Sequence, residues 1–223
     1  MTKKIDQKIV KSQVIDPDRV EAAASRAEII HMHENLQRPE ALQGTTYKIK
    51  TPLSEHALYV TINDITLNPG TEHEIRRPFE IFINSKNMEH YQWIVALTRI
   101  LSAVFRKGGD VTFLVDELRS VFDPQGGYFK KGGRYTPSIV AEIGDVIEQH
   151  MISIGMLKKQ ELDAQQQEYI DAKRGEIEGR FAQPTGDDGY PASATLCRKC
   201  QTRAVVLLDN CLTCLHCGES KCG

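Results

Sequence analysis

The stretch Phe79-Glu-Ile-Phe-Ile83-Asn-Ser-Lys-Asn-Met-Glu-His-Tyr-Gln-Trp93-Ile-Val-Ala-Leu97-Thr-Arg-Ile100-Leu101-Ser-Ala-Val104 changes its period partway through. Phe79, Ile81 and Ile83 alternate with polar or outward positions, which is the pattern of a half-buried strand. From Trp93 the spacing is helical, and Trp93, Leu97, Ile100, Leu101 and Val104 are predicted to line one buried face. Upstream, Tyr47 with Ile49, and Leu58 with Val60 and Ile62, repeat the two-residue period. Thr51-Pro52 and Asn68-Pro69-Gly70 supply the turns between them. Downstream, Gly108-Gly109 ends the helix and Asp110 is placed to cap a second, with Val111, Leu114, Val115, Leu118 and Val121 as its stripe. After a glycine-rich loop, Thr136-Pro137 opens a third helix carrying Ile139, Val140, Ile143 and Ile147. Strands followed by helices imply an α+β domain over residues 41–155, a small antiparallel sheet with helices on one face.

The flanks read differently. Residues 1–40 are a lead-in, with a helix expected from Asp16-Pro17 to about Leu36 and ended by Arg38-Pro39. Residues 156–195 comprise a polar helical stretch, Leu157 to Lys173, and a Gly, Pro, Asp and Ser-rich segment from Gly175 to Ala194. That segment reads as a tether; about 20 flexible residues have an r.m.s. span of roughly 25 Å. Residues 196–223 form a separate cysteine-rich module, expected to hang on this leash and move relative to the body.

With 223 residues there is room for one good core and an appendage. The formal charge of -2 lacks the basic excess expected of a nucleic-acid binder. No apolar run is long enough for a bilayer, and Met1-Thr-Lys-Lys-Ile-Asp lacks a signal-peptide core, so a cytoplasmic location without membrane contact is expected. Clustered cysteines in a reducing compartment point to metal ligands or reactive thiols.

All six cysteines fall in that last module: Cys197-Arg-Lys-Cys200, Cys211-Leu-Thr-Cys214-Leu-His-Cys217 and Cys222. Paired Cys-x-x-Cys turns suit a tetrahedral zinc ion closed by four protein ligands, and a module this small needs such a staple to fold. Two ligand sets fit. Cys197, Cys200, Cys214 and Cys217 is favoured because Gly218 lets the second turn take a positive φ. Cys197, Cys200, Cys211 and Cys214 is the rival. Ala204 to Leu208 and Cys211 to Thr213 read as strands joined by an Asp209-Asn210 turn, and His216 reads as facing solvent. The first set leaves Cys211 and Cys222 for thiol exchange; the second leaves Cys217 and Cys222. Lys221 favours the Cys222 thiolate, the species that attacks a disulfide.

His56, His73 and His90 read as surface histidines, and Asn84-Ser85-Lys86-Asn87 as a strand-ending turn. Gly126-Gly127 and Gly132-Gly133 lack the spacing of a phosphate loop, although Tyr128, Phe129 and Tyr135 among them suggest a docking surface. Zinc ribbons also serve as adaptors on nucleic acid or protein partners, and this is the competing function. An independent thiol oxidoreductase would need a thioredoxin-like βαβ pattern, which is not present.

Several runs together resemble one family. These are Arg38-Pro39-Glu-Ala-Leu-Gln-Gly44-Thr-Thr-Tyr47-Lys-Ile-Lys-Thr-Pro52, Leu58-Tyr59-Val-Thr-Ile-Asn63, and Pro78-Phe79 through Asn84-Ser85-Lys86-Asn87-Met-Glu-His. Arg106-Lys-Gly-Gly109-Asp110 and the closing Cys217-Gly-Glu-Ser-Lys-Cys222-Gly complete the set. From about residue 36 onward the chain resembles the C-terminal region of bacterial class II, adenosylcobalamin-dependent ribonucleotide reductases, with a middle part similar to their TSCPD domain. The family's catalytic barrel does not fit in this length. The resemblance therefore implies the small chain of a split reductase, with adenosylcobalamin bound by a separate large catalytic chain. It further implies that Cys222 attacks the barrel's disulfide, that Cys211 (or Cys217) resolves the mixed disulfide, and that thioredoxin or glutaredoxin recharges the tail.

Overall fold

A computed structural model of the chain describes residues 29–33, 35–52, 54–86, 91–159, 162–180 and 188–222. Three antiparallel strands form the main sheet in the order β1 (Gln43–Ile49), β2 (Leu58–Leu67), β3 (Ile75–Ser85). Asn68 and Gly70, both at positive φ, turn β2 into β3. Helices α1 (Tyr91–Lys107), α2 (Phe113–Arg119) and α3 (Ile139–Ser153) follow. The core joins Ile49, Val60, Ile62, Ile81 and Ile83 of the sheet to Leu101, Phe105, Leu114, Val115, Ile147 and Met151 of the helices. On the opposite face Tyr59 and Phe82 are exposed, whereas Glu80 is buried. The chain is thus α+β with helices on one side, as the change of period implies.

Several expectations need correction. The α1 face was misjudged: Trp93 is 78% and Ile100 62% exposed, and the buried positions are Thr98, Leu101, Ser102 and Phe105. Ser102 faces inward because its hydroxyl bonds Thr98 O at 2.7 Å and receives Ile81 N at 3.0 Å, so a polar residue occupies a core position at no cost in lost hydrogen bonds. Asp110 does not cap α2. Its carboxylate accepts from the Thr112 amide at 2.9 Å in the turn before the helix, and Val121 lies beyond the helix, 40% exposed. The α3 start is capped by Ser138, whose hydroxyl accepts from Ala141 N at 3.0 Å. The lead-in helix falls mostly outside the described residues, and 29–33, 35 and 36 are not helical.

The glycine-rich loop is a hairpin of β4 (Tyr128–Phe129) and β5 (Tyr135–Thr136). The polar segment is helix α4 (Ala164–Arg180), which runs on through Gly175 into the stretch read as tether. Residues 181–187 of that stretch lie outside the described residues. The module beyond is a four-stranded antiparallel sheet in the order β6 (Thr195–Leu196), β7 (Arg203–Leu208), β8 (Cys211–Cys214), β9 (Ser220–Cys222).

Candidate metal centre and dithiol

Two knuckles of like build bring four sulfurs together. In the first, Gln201 N bonds back to Cys197 O at 3.0 Å; in the second, Gly218 N bonds back to Cys214 O at 3.0 Å. Both closing residues are left-handed, Gln201 at φ 56° and Gly218 at φ 72°. That conformation suits Gly218 and is unusual for Gln201. Leu215 N donates to Ala204 O at 2.8 Å and ties the knuckles together. Between them, β7 and β8 are joined by Asp209 and Asn210, both at positive φ, as a tight two-residue hairpin needs.

The Sγ atoms of Cys197, Cys200, Cys214 and Cys217 all lie within 4.8 Å of one another. Cys197 to Cys217 is 3.8 Å and Cys200 to Cys214 is 3.7 Å. A tetrahedron with zinc–sulfur bonds of about 2.3 Å has sulfur–sulfur edges of about 3.8 Å. The donor set therefore fits zinc in number, chemistry and spacing, and four thiolates would leave no open position for substrate. Burial pushes the Cys217 thiol up to about 11 and the Cys214 thiol higher still. Burial also opposes ionisation of Cys197, but amide donors at Cys200 and Lys199 hold it below the usual thiol value. His216 is exposed, and its Nδ1 lies 2.9 Å from the Tyr190 hydroxyl, outside the cluster.

The remaining two cysteines are joined to each other. Cys211 and Cys222 are directly opposite on β8 and β9, with Cα atoms 4.1 Å apart, and form a disulfide. Cys222 is exposed and Cys211 half-buried. Of the two ligand sets weighed from spacing, the structure assembles the one without Cys211. Cys217, the alternative exchange thiol, sits within the four-sulfur cluster.

The module does not hang free in this structure. Tyr135 N donates to Gln201 O at 2.7 Å and Arg203 N to Gly133 O at 2.8 Å, with an Arg134–Thr202 bridge between. The β4–β5 hairpin and the first knuckle are thereby bridged backbone to backbone. On another side, α4 packs Ile170 (2% exposed) against Gly218, pairs Lys173 with Asp209 at 2.9 Å, and donates from Arg174 to Leu215 O at 3.0 Å. These docking residues escaped the sequence reading, apart from Tyr135. Ile170 was the available signal, as an apolar residue in an otherwise polar stretch. Of the aromatics in the hairpin, Tyr128 is buried with its hydroxyl on Glu142, and Phe129 packs on Tyr135 with ring centroids 5.3 Å apart. His56 and His73 are exposed, and His90 lies outside the described residues.

A second polar constellation lies in the body. His150 and Asp64 are each 1% exposed at the side chain, with Nε2 to Oδ1 at 2.7 Å. Tyr47 meets His150 Nδ1 at 3.0 Å, and Arg76 closes on the far oxygen of Asp64 at 2.8 Å. Every partner is satisfied from within the body, so this is a buried brace across β1, β2, β3 and α3.

The TSCPD domain family model matches residues 28–151, more than half of the chain. This chain belongs to the TSCPD domain family. The domain occurs in class II, adenosylcobalamin-dependent ribonucleotide reductases, and the C-terminal cysteine cluster accords with that kinship. No curated protein and no solved structure matches the chain. Among the described residues no helix is long and apolar enough to cross a membrane.

Proposed function

We propose that this TSCPD chain is the small accessory chain of a split class II ribonucleotide reductase. In this reading its tail returns electrons to a large chain that makes deoxyribonucleotides. The observation that carries the reading is the Cys211–Cys222 pair, opposed on an edge strand and separate from the four-sulfur cluster. Zinc at Cys197, Cys200, Cys214 and Cys217 is the staple that holds β8 and β9 in register. The adenosylcobalamin belongs to the large chain, and it supplies the radical chemistry there.

Reduced Cys222, as thiolate, attacks the oxidised cysteine pair of the large chain. The attacked bond breaks, its leaving sulfur takes a proton, and a mixed disulfide forms. Cys211 thiolate then attacks Cys222 Sγ and frees the second sulfur of the large chain, which is also protonated. Two electrons and two protons pass to the large chain, and the tail is left as the Cys211–Cys222 disulfide. Thioredoxin or glutaredoxin reverses this by the same exchange.

The test is Cys222→Ser in the reconstituted two-chain enzyme. Single turnover should survive, and repeated turnover with a thioredoxin system should stop. Sustained synthesis by the variant would refute the reading.

A further inference from the structure

Helix α1 has two apolar faces, and among the described residues only one is packed. Ile94, Leu97, Leu101 and Phe105 pack on the sheet and the other helices. On the outer side stand Trp93, Ala96, Ile100 and Ala103, all exposed. Their spacing of three, four and three residues is that of the a and d positions of a heptad. Large and small residues alternate along the row, so the two alanines leave gaps beside Trp93 and Ile100 at the pitch of a helix. Arg99 and Lys107 border the row and make no ion pair with any described residue. The segment Tyr91–Lys107 carries three cations and no carboxylate.

We infer that this outer face of α1 docks an amphipathic helix with an acidic flank, supplied by the large catalytic chain of the proposed reductase. The inference rests on that functional reading for the identity of the partner. The geometry itself asks for a helix, because knobs spaced by heptads fill the gaps over Ala96 and Ala103. The charge asks for an acidic one. A second copy of this chain would set Arg99 and Lys107 against like charges, Arg106 being turned inward over the Phe79 ring. A lipid surface would accept the cations, but α1 is held on its inner side by the core, and the outer row carries only two large apolar side chains, Trp93 and Ile100.

Trp93 is the sole tryptophan of the chain, so its emission reports this face directly. The experiment mixes the full-length protein with the large catalytic chain and follows both complex formation by sedimentation and Trp93 emission, using a large chain whose own tryptophans are replaced by phenylalanine. A blue shift on complex formation is expected. Ala103→Arg fills the gap without loss of positive charge, and Arg99→Glu reverses the charge without filling it. Both positions are exposed, so the fold should stand, and each variant should weaken the complex by about tenfold or more.

A complex that forms with Trp93 unshifted overturns this inference and leaves the functional reading intact. Absence of any complex overturns both. A blue shift that rises with the concentration of this chain alone assigns the face to a second copy. One produced by vesicles of phosphatidylserine and phosphatidylcholine assigns it to a membrane. Either result overturns the proposal.

Discussion

Asp64 sits in the core because it continues the inward phase of β2, after Leu58, Val60 and Ile62. A strict two-residue period through Leu58, Val60 and Ile62 would leave the next inward place to Asp64, where an unpaired charge would be costly. His150 and Arg76 meet the carboxylate from either side, while Ile65 and Leu67, in the other phase of the strand, join Met32 and Phe79 in a second buried cluster, Phe79 being the extra residue of a bulge in β3. Nothing near Asp64 in the sequence announces its partners, and His150 is 86 residues distant, so this brace was not legible. His150→Ala would leave both Asp64 and Tyr47 short of a partner and open a cavity. A loss of about 3 to 5 kcal/mol is expected by urea denaturation. Tyr47→Phe, which removes a single hydroxyl, should cost about 1 kcal/mol. Equal effects of the two would mean that packing, not the polar chain, dominates.

Glu80 adds a pH dependence at the same scale. Arg38 grips both of its oxygens, at 2.8 and 3.0 Å, and Asn63 donates to one of them at 2.8 Å. The Arg38 hydrogen bond is the largest influence and holds the carboxyl below its ordinary 4.5, despite burial. A depressed folded-state value stabilises the protein above the unfolded-state value, and that contribution disappears as pH falls through the folded-state value. Unfolding midpoints measured from neutral pH to below 4.5 should therefore decline more steeply in the parent than in Glu80→Gln. Parallel curves would remove Glu80 from the account.

At the scale of elements, the strands, the three body helices and the ribbon hairpin were readable, because period and turn residues agree at each. The inner face of α1 was not. Its Trp93, Leu97, Ile100, Leu101 and Val104 stripe is the most apolar choice, yet Thr98 and Ser102 are buried instead of Trp93 and Ile100. Hydrophobicity cannot distinguish a face turned to the core from one left for a partner when a helix bears both. The two knuckles offer a sharper case. Gly218 and Gln201 occupy the same left-handed place in each, and only the glycine announced itself. Gly218→Ala should cost about 1 to 2 kcal/mol, because its Cβ meets the left-handed penalty and approaches Ile170 Cδ1 at 3.4 Å. Gln201→Gly should stabilise the zinc-loaded protein by a few tenths to about 1 kcal/mol. Midpoints shifted in the same direction for both would show that the two turns are not equivalent.

Across the whole molecule, the body and the ribbon differ in what holds them together. The body core of Val60, Ile62, Ile81, Phe105, Ile147 and their neighbours contains no cysteine. The ribbon core is small, and Cys197 and Cys214 are themselves among its buried members. A module of this size would depend on a metal at the four sulfurs for folding free energy, and its grip on the body passes through the first knuckle. Gln201 and Arg203, which bond the β4–β5 hairpin, lie one and three residues after Cys200. Chelation should therefore undock the ribbon as well as unfold it. Hydrogen exchange with and without a chelator makes the prediction local: the amides of Tyr135 and Arg203 should lose protection together, because each donates across the seam. The amides of Val60 and Ile62 should remain protected, because their sheet shares no sulfur with the site. If Tyr135 stayed protected after the metal was removed, the hairpin would hold the first knuckle without help, and the electron delivery proposed for the tail would have to proceed from this docked position. If Val60 exchanged as fast as Tyr135, metal and body would belong to one cooperative unit, and the ribbon could not detach without unfolding the TSCPD domain itself.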